Sequence, residues 1–567
     1  MTAFHISPGP LAVAYTQACQ RLDHVSFADA LWAKRLDTWT TDAAVQQKIA
    51  NRLGWLDALD FVTPLLPRLR ALADAVRSEE LTDIVLLGMG GSSLAPEVLR
   101  QVLGVAPGFP RFRMLDSVDP EAVRAALENT ATSLFILASK SGSTIEPNVM
   151  AAEAKRRLLA AGHERWGSRF IAITDPDTAL HRRAIAEGFR DVFVNPADIG
   201  GRYSALSLFG MVPAALMGAD LERLLTGARE MEAACRAPGA ATNPGLALGA
   251  FMAAGTRTGR DKLTLRLPER LQSFGLWVEQ LVAESTGKHG KGVVPIAGET
   301  PDAAIGADRL LVSVSLDGAP ADPAQLDRVR DSGAPLVELT LSGVEAIGAE
   351  FLRWEVATAT AGLLMDINPF DEPNVQQAKD ATGALLDVYR TQKQLPIAEP
   401  HGSVAGSRLT LSNAAQDQLA GESAAAFFKV LQPTDYVGIL VYLPPDAEPF
   451  DAPLREFRDA LAMRTGSATM FGYGPRYLHS TGQLHKGGAN NGVFVVITAA
   501  MGEDLAIPGE PFSFGVLEMA QGVGDFQSLD RTGRRALHVH LPERRVELLG
   551  RVTAALLQGA PTRAGSR

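Results

Sequence analysis

The sequence predicts an α/β protein with two doubly wound parallel-sheet domains and an additional C-terminal α/β segment. Three observations carry this reading. Short apolar runs alternate with helical patterns from residue 83 onward, the texture of βαβ units. Those runs are almost continuously apolar, as strands covered on both faces must be. Two of them end in Gly/Ser-rich turns that open helices, at the carboxyl edge where such sheets take ligands.

In chain order, residues 1–80 read as helices. The segment from Trp55 has helical apolar spacing broken by Pro64 and Pro67. Strands follow at 83–87, 111–115, 134–138, 169–173 and 191–194, with helices such as 95–103 and 147–161 between them. The stretch Ala205–Ala219 is shorter than the about 20 residues of a bilayer span and reads as a buried helix. A helical segment 1–44 thus precedes a first sheet domain, 45–235. A second domain, 236–400, offers strands 262–266, 310–315 and 336–339, with helices 268–284, 344–364 and 375–391. Residues 392–407 lack periodicity and read as a linker. In 401–567 strands recur at 436–443, 468–472, 493–498 and 536–541, between helices 453–464, 514–521 and 546–557. This is either a third unit or an extension of the second sheet. The tail from Ala560 reads as disordered.

The 567 residues are 46% apolar and 21% charged, which excludes a largely disordered chain. With 54 Lys+Arg against 64 Asp+Glu the net charge is −10, opposite to the basic field of a general nucleic-acid binder. Two cysteines, Cys19 and Cys235, make neither a disulfide framework nor a Cys-based zinc site, so a reducing cytoplasm is expected. The N-terminus lacks a signal-peptide pattern, and no membrane association is expected. No histidine cluster reads as a metal site. His538 and His540 could share a strand face, and an ordinary strand face is the simpler reading.

Five segments stand out chemically. SKSGSTIEP (Ser139–Pro147) follows a strand and opens a helix, so free backbone N–H groups and the hydroxyls of Ser139, Ser141, Ser143 and Thr144 suit a phosphate beside Lys140. The alternative is an ordinary N-cap, which Ser and Thr favour anyway. GMGGSS (Gly88–Ser93) permits close backbone approach but is neither a dinucleotide fingerprint nor a Walker A run. GGRYS (Gly200–Ser204) offers Arg202 to an anion or to a surface ion pair. In ESTGKHGKG (Glu284–Gly292), Glu284 lies about 110° from the centre of the helix's apolar face, so periodicity alone leaves it at a solvated end. In INPFDEPNVQQAK (Ile367–Lys379), Lys379 alone would read as an exposed helical lysine.

Together, in this order, the five segments resemble the glucose-6-phosphate isomerase (phosphoglucose isomerase) family, with its double sugar-isomerase (SIS, flavodoxin-like) fold. GPRYLHSTGQLHKGG (Gly474–Gly488) resembles the isomerase half of transaldolase–isomerase fusions in particular. A transaldolase barrel needs about 250 residues and is not expected here. The resemblance implies a cofactor-free, metal-free aldose–ketose isomerase of glycolysis and gluconeogenesis, acting on a sugar phosphate through an enediolate, as a cytoplasmic homodimer. It implies Glu284 as the proton shuttle, Arg202 as the enediolate's partner, and Lys379 as an aid to ring opening. Gly91, Ser92, Ser139, Lys140, Ser141 and Thr144 would hold the phosphate. Glu372 stands where the family has glutamine. The family's ring-opening histidine has no match between Glu284 and Lys379 except His289, which lacks the GQH context. GQLH supplies that context later, so His485 is the expected catalytic histidine, with His479 and His289 as alternatives. Other outcomes are an isomerase of another sugar phosphate, such as mannose 6-phosphate, or a non-catalytic sugar-phosphate sensor.

Overall fold

Apolar runs such as Asp83–Leu87 and Ser133–Ala138 are buried along their whole length, and parallel pairing suits them because crossover helices cover both faces. The computed structural model describes residues 3–318 and 323–562. Its first sheet runs Arg111–Leu115, Asp83–Leu87, Ser133–Ala138, Phe170–Thr174, Asp191–Val194, all parallel. Counted along the chain this order is 2-1-3-4-5. The winding therefore reverses between Asp83–Leu87 and Ser133–Ala138, and a crevice opens beyond their carboxyl ends. The loops leaving those two strands are GMGGSS and SKSGST.

The second sheet runs Ala3–Ser7, Leu336–Leu341, Arg309–Leu316, Lys262–Arg266, Val294–Ile296. The third runs Gly402–Val404, Ser407–Leu411, Arg535–Leu541, Gly492–Ala499, Tyr436–Tyr442, Ala468–Tyr473. The C-terminal strands thus form their own sheet and do not extend the second. In both sheets the four parallel strands take the order 2-1-3-4, and an antiparallel strand pairs outside the fourth.

Several strands differ from expectation. Ala3–Ser7 lies in the segment read as helical, yet pairs Phe4 with Leu339 and Ile6 with Val337. Five residues are too few for a periodic signal, and an edge strand needs only one partner. The presumed linker holds Gly402–Val404, which hairpins onto Ser407–Leu411. Its turn, Ala405–Gly406, has positive φ at both positions, the conformation that twists with the strands. Alanine hides that turn because Asn or Gly normally marks it. As expected, Leu208–Leu216 is a helix buried at every residue. Among the described residues no helix is long and apolar enough to cross a membrane. Of the tail read as disordered, residues 563–567 lie outside the described residues.

One apolar cluster fuses a face of the first sheet (Ile84, Leu86, Ile136) with the helices of the second unit (Phe274, Trp277, Trp354). A separate cluster covers the opposite face of the first sheet with Leu385 and Leu386, from the last helix before residue 400, and Phe514 and Leu517, from the third unit. The third unit is also tied to the first by charge. Arg476 donates from Nε and Nη2 to the two oxygens of Asp116, at 2.8 and 2.9 Å. Breaking one side of a buried pair leaves the other uncompensated. Asp116→Asn should therefore lower stability by about 3 kcal/mol, measured by urea unfolding. An unchanged unfolding curve would mean that this pair does not help to hold the third unit.

Candidate functional site

At the crevice of the first sheet, two glycines are required by sterics. Gly90 has φ +57°, and a Cβ there would stand 2.8 Å from the carbonyl oxygen of His479. A Cβ at Gly91 would stand 2.0 Å from the Gly201 oxygen. This close approach presses the GGRYS turn against the start of the Gly91–Leu103 helix.

The SKSGST loop curls on itself. Gly142 N–H donates to Ser139 Oγ at 3.2 Å, and Ser143 N–H to Ser141 Oγ at 3.3 Å. Thr144 occupies the N-cap position of Ile145–Ala160, but its side chain makes no capping bond. The ordinary N-cap bond is therefore not made by this residue. Lys140 pairs with Asp175 and donates to the Ala197 carbonyl at 2.8 Å. Asn51 and Arg52 line the same cavity and were not anticipated. The nearest signal is Gly200: the Arg52 Cδ lies 3.6 Å from where its Cβ would be.

The cavity, about 490 Å³, runs from this loop to a cluster of charged side chains and is lined also by Gly91, Ser92, Arg202, Glu284, Glu372, Lys379 and His479. Arg202 is 4% exposed. Its Nε donates to Ser285 Oγ (2.8 Å), Nη1 to Glu372 (3.0 Å), and Nη2 to the carbonyls of Pro369 (2.8 Å) and Asp371 (3.0 Å). Glu284 faces Nη1 at 3.3 Å with its side chain 13% exposed. It is thus not at a solvated helix end: the Gln272–Thr286 helix is buried on nearly every side, by the first and third units as well as its own. Gln280, one turn earlier, donates to Glu284 Oε2 at 3.3 Å and to the His479 carbonyl at 2.9 Å. Lys288 donates to the Asn368 carbonyl and to Asp371, both at 2.8 Å, and so fixes the INPFD turn under Arg202. Lys379 is an exposed helical residue that nevertheless borders the cavity.

The histidine expectation needs correction. His485 is 1% exposed, packs on Phe494 with ring centroids 4.9 Å apart, and leaves both ring nitrogens without a partner among the described residues. Burial, with Lys486 and Arg534 nearby, pushes its pKa well down. It lies outside the cavity, and so does the exposed His289. The GQLH signal has another structural use: Gln483 accepts from Asn374 N–H and donates to the Gly287 carbonyl and to Asn374 Oδ1, each at 2.8 Å. It staples the two flanking motifs together. His479 is the histidine in the cavity. Its Nε2 lies 2.9 Å from Glu146 Oε1, which also accepts from Gln521 at 2.7 Å. His538 and His540 share the Thr498 hydroxyl, at 2.8 and 2.9 Å, as ordinary strand-face residues. Among the described residues no group of three or more His, Cys, Asp or Glu could hold a metal ion.

Electrostatics separate the carboxylates. Burial raises the Glu284 pKa, Arg202 opposes it, and Glu372 adds to it; the net direction is up. Burial acts the same way on Glu146, but His479 and then Lys379 outweigh it and hold its carboxyl below the usual range. Burial and the neighbouring Arg202 bring Lys288 down to about 8.

The sequence profile of the phosphoglucose isomerase family matches residues 57–302. A glucose-6-phosphate isomerase of Synechococcus sp. (strain CC9605) is 30% identical over 357 residues, 55% of this chain and 67% of the relative. That of Parasynechococcus marenigrum (strain WH8102) is 29% identical over 390 residues, 61% of this chain and 69% of the relative. Among solved structures, a hypothetical protein of Thermus thermophilus aligns with TM-score 0.58 and 26% identity, covering 67% of this chain and 99% of that one. A glucose-6-phosphate isomerase of Chlamydia trachomatis aligns with TM-score 0.54 and 16% identity, covering 69% and 89%, a likeness of fold.

The helix start without a side-chain cap and the Arg52 side chain border the same end of the cavity, an arrangement suited to an anion. Thr144→Val and Arg52→Met should each weaken inorganic phosphate binding by about 1.5–3 kcal/mol, the range for hydrogen bonds to charged groups. Isothermal titration calorimetry reads this directly. An unchanged Kd in Arg52→Met would place that guanidinium outside the cradle.

Proposed function

The chain belongs to the phosphoglucose isomerase family, and on that premise we propose that it interconverts D-glucose 6-phosphate and D-fructose 6-phosphate by proton transfer through an enediolate. The observation that carries this is the convergence of Glu284, Arg202, Lys379 and His479 on one cavity that ends in a phosphate cradle. A non-catalytic sensor would need the cradle alone.

The residues divide the work. The SKSGST loop, with Ser92, Gly91 and Arg52, holds the phosphate, and that remote binding energy positions the reacting carbons. His479 opens the ring. Glu146 is held ionised, so it accepts from Nε2–H of His479 and leaves Nδ1 to take the O1 proton and pass it to the ring oxygen O5 as the C1–O5 bond breaks and C1=O1 forms. Lys379, at the cavity rim, supports the sugar oxygens. Glu284 then removes the C2 proton. The enediolate's charge develops beside Arg202, whose position is set before substrate arrives. Glu284 returns the proton to C1 while the O2 proton passes to O1, so the reaction is redox-neutral overall. Glu372, in place of the family's glutamine, takes an Arg202 N–H and raises the Glu284 pKa. A base closer to neutrality is stronger in this step.

The reading includes a cytoplasmic setting, with Cys19 and Cys235 as buried free thiols, and a homodimer, tested by light scattering. A coupled assay from fructose 6-phosphate to glucose 6-phosphate tests the activity. Faster turnover of mannose 6-phosphate would favour the other epimer. Glu284→Gln should lower kcat by about 10²–10⁴-fold, the usual weight of general-base catalysis, while sugar-phosphate binding persists. Because the base works deprotonated and its pKa is raised, wild-type kcat/KM should fall, as pH drops, through a value above the usual glutamate pKa of about 4.3. An acid limb at or below that value would exclude Glu284 as the base. His479→Ala should slow turnover of cyclic substrate far more than C1 hydrogen exchange in open-chain substrate. Equal slowing would make His479 structural.

A further inference from the structure

The second sheet repeats the geometry that makes the crevice of the first. Its parallel order 2-1-3-4 reverses winding between Lys262–Arg266 and Arg309–Leu316. The crossover leading into the third parallel strand carries the helix Pro120–Ala126 in the first sheet and Gly482–Gly487 in the third. In the second sheet the same crossover, Ala297–Asp308, has no helix. The space beyond the carboxyl ends is a cavity of about 870 Å³, with no residue in common with the site above.

Its walls are mixed. Leu265, Ile305 and Leu326 supply apolar surface, and Arg266 stands at the end of its strand. Arg266 Nη1 donates to the carbonyls of Glu299 (2.9 Å) and Thr300 (3.1 Å), which fixes the guanidinium plane. Its Nε and Nη2 donate to no group among the described residues. Arg328 also lines the cavity but is paired with Asp302 at 3.1 Å, and Glu299 and Asp459 line it too, so Arg266 is the cation with donors to spare. Burial lowers the Arg266 pKa; Arg309, Arg328 and Arg458 add to the lowering and Glu299 opposes it. Glu299 is itself engaged by Arg309 at 3.0 Å.

We propose that this cavity is a second ligand site, taking a small organic anion (a carboxylate, sulfonate or phosphate on an apolar body) with the anionic group on Arg266. Pockets of this size and mixed lining are the usual form of small-molecule sites, and a sheet's switch point is their usual place. The site is separate from the sugar-phosphate cavity, so both can be filled together.

The test uses the full chain and the dye 8-anilinonaphthalene-1-sulfonate, an anion on an apolar body. Its fluorescence should saturate at one site per chain and persist in saturating fructose 6-phosphate. Arg266→Gln should weaken dye binding at least tenfold, and Leu326→Trp, which fills the cavity from its helix side, should abolish saturable binding. Both variants should keep isomerase activity, which reports an intact fold. Dye binding unchanged in Leu326→Trp, or displaced by fructose 6-phosphate, would overturn the proposal. Loss of dye binding only together with activity would do so too. Dye binding at Arg266 does not depend on which sugar the other site turns over, so the two readings fail separately.

Discussion

A guanidinium with five N–H donors and almost no water must be satisfied by the chain around it, and Arg202 is that group here. Stripping such a charge of solvent costs several kcal/mol unless carbonyls and carboxylates replace the water. Its partners come from the end of the Gln272–Thr286 helix and from the Pro369–Glu372 turn, so those segments cannot drift apart without exposing an unpaired charge. Lys288 repeats the device one layer deeper, against Asn368 and Asp371. Gln483 carries it into the third unit. The site is thereby assembled by polar groups that would be costly to bury singly.

The same arrangement sets the chemistry. The cavity is polarised along its length: hydroxyls, a helix N-terminus, Lys140 and Arg52 at one end, and a carboxylate held beside a fixed cation at the other. Glu284 and Glu146 are both buried glutamates, yet their pKa values move in opposite directions. Glu284 shares its arginine with Glu372, whereas Glu146 has His479 and the field of Lys379 to itself. Burial disfavours ionisation of both, and the neighbouring charges decide the sign. One residue is thus suited to accept a proton, the other to orient an imidazole.

The three sheets share a winding pattern and differ in what covers them. Apolar packing joins the first and second units through one continuous core. The third unit covers the other face of the first sheet with Phe514 and Leu517 and adds the Arg476–Asp116 pair. That placement brings His479 over Gly90, where only a glycine leaves room for its backbone.

Much of this was legible in the residues. Continuous apolar runs reveal buried parallel strands, because nothing else buries both faces of a strand. The loops after them show their chemistry through glycines and hydroxyls. Very short strands were not legible: Ala3–Ser7 and Gly402–Val404 are made by their partners, not by their own pattern. Helical periodicity also misjudged Glu284, because it assumes one buried face and the Gln272–Thr286 helix has protein nearly all round it. The histidine shows the boundary most plainly. Two histidines flank STGQ six positions apart, and the local pattern favoured His485. By itself the sequence determined the sheet class and the motifs, SKSGST, GGRYS and ESTGK among them, that the fold brings to one cavity. Only the tertiary structure decided that His479 meets Glu146 while His485 enters the core, because the His479 contact joins segments more than 300 residues apart, which no local spacing encodes.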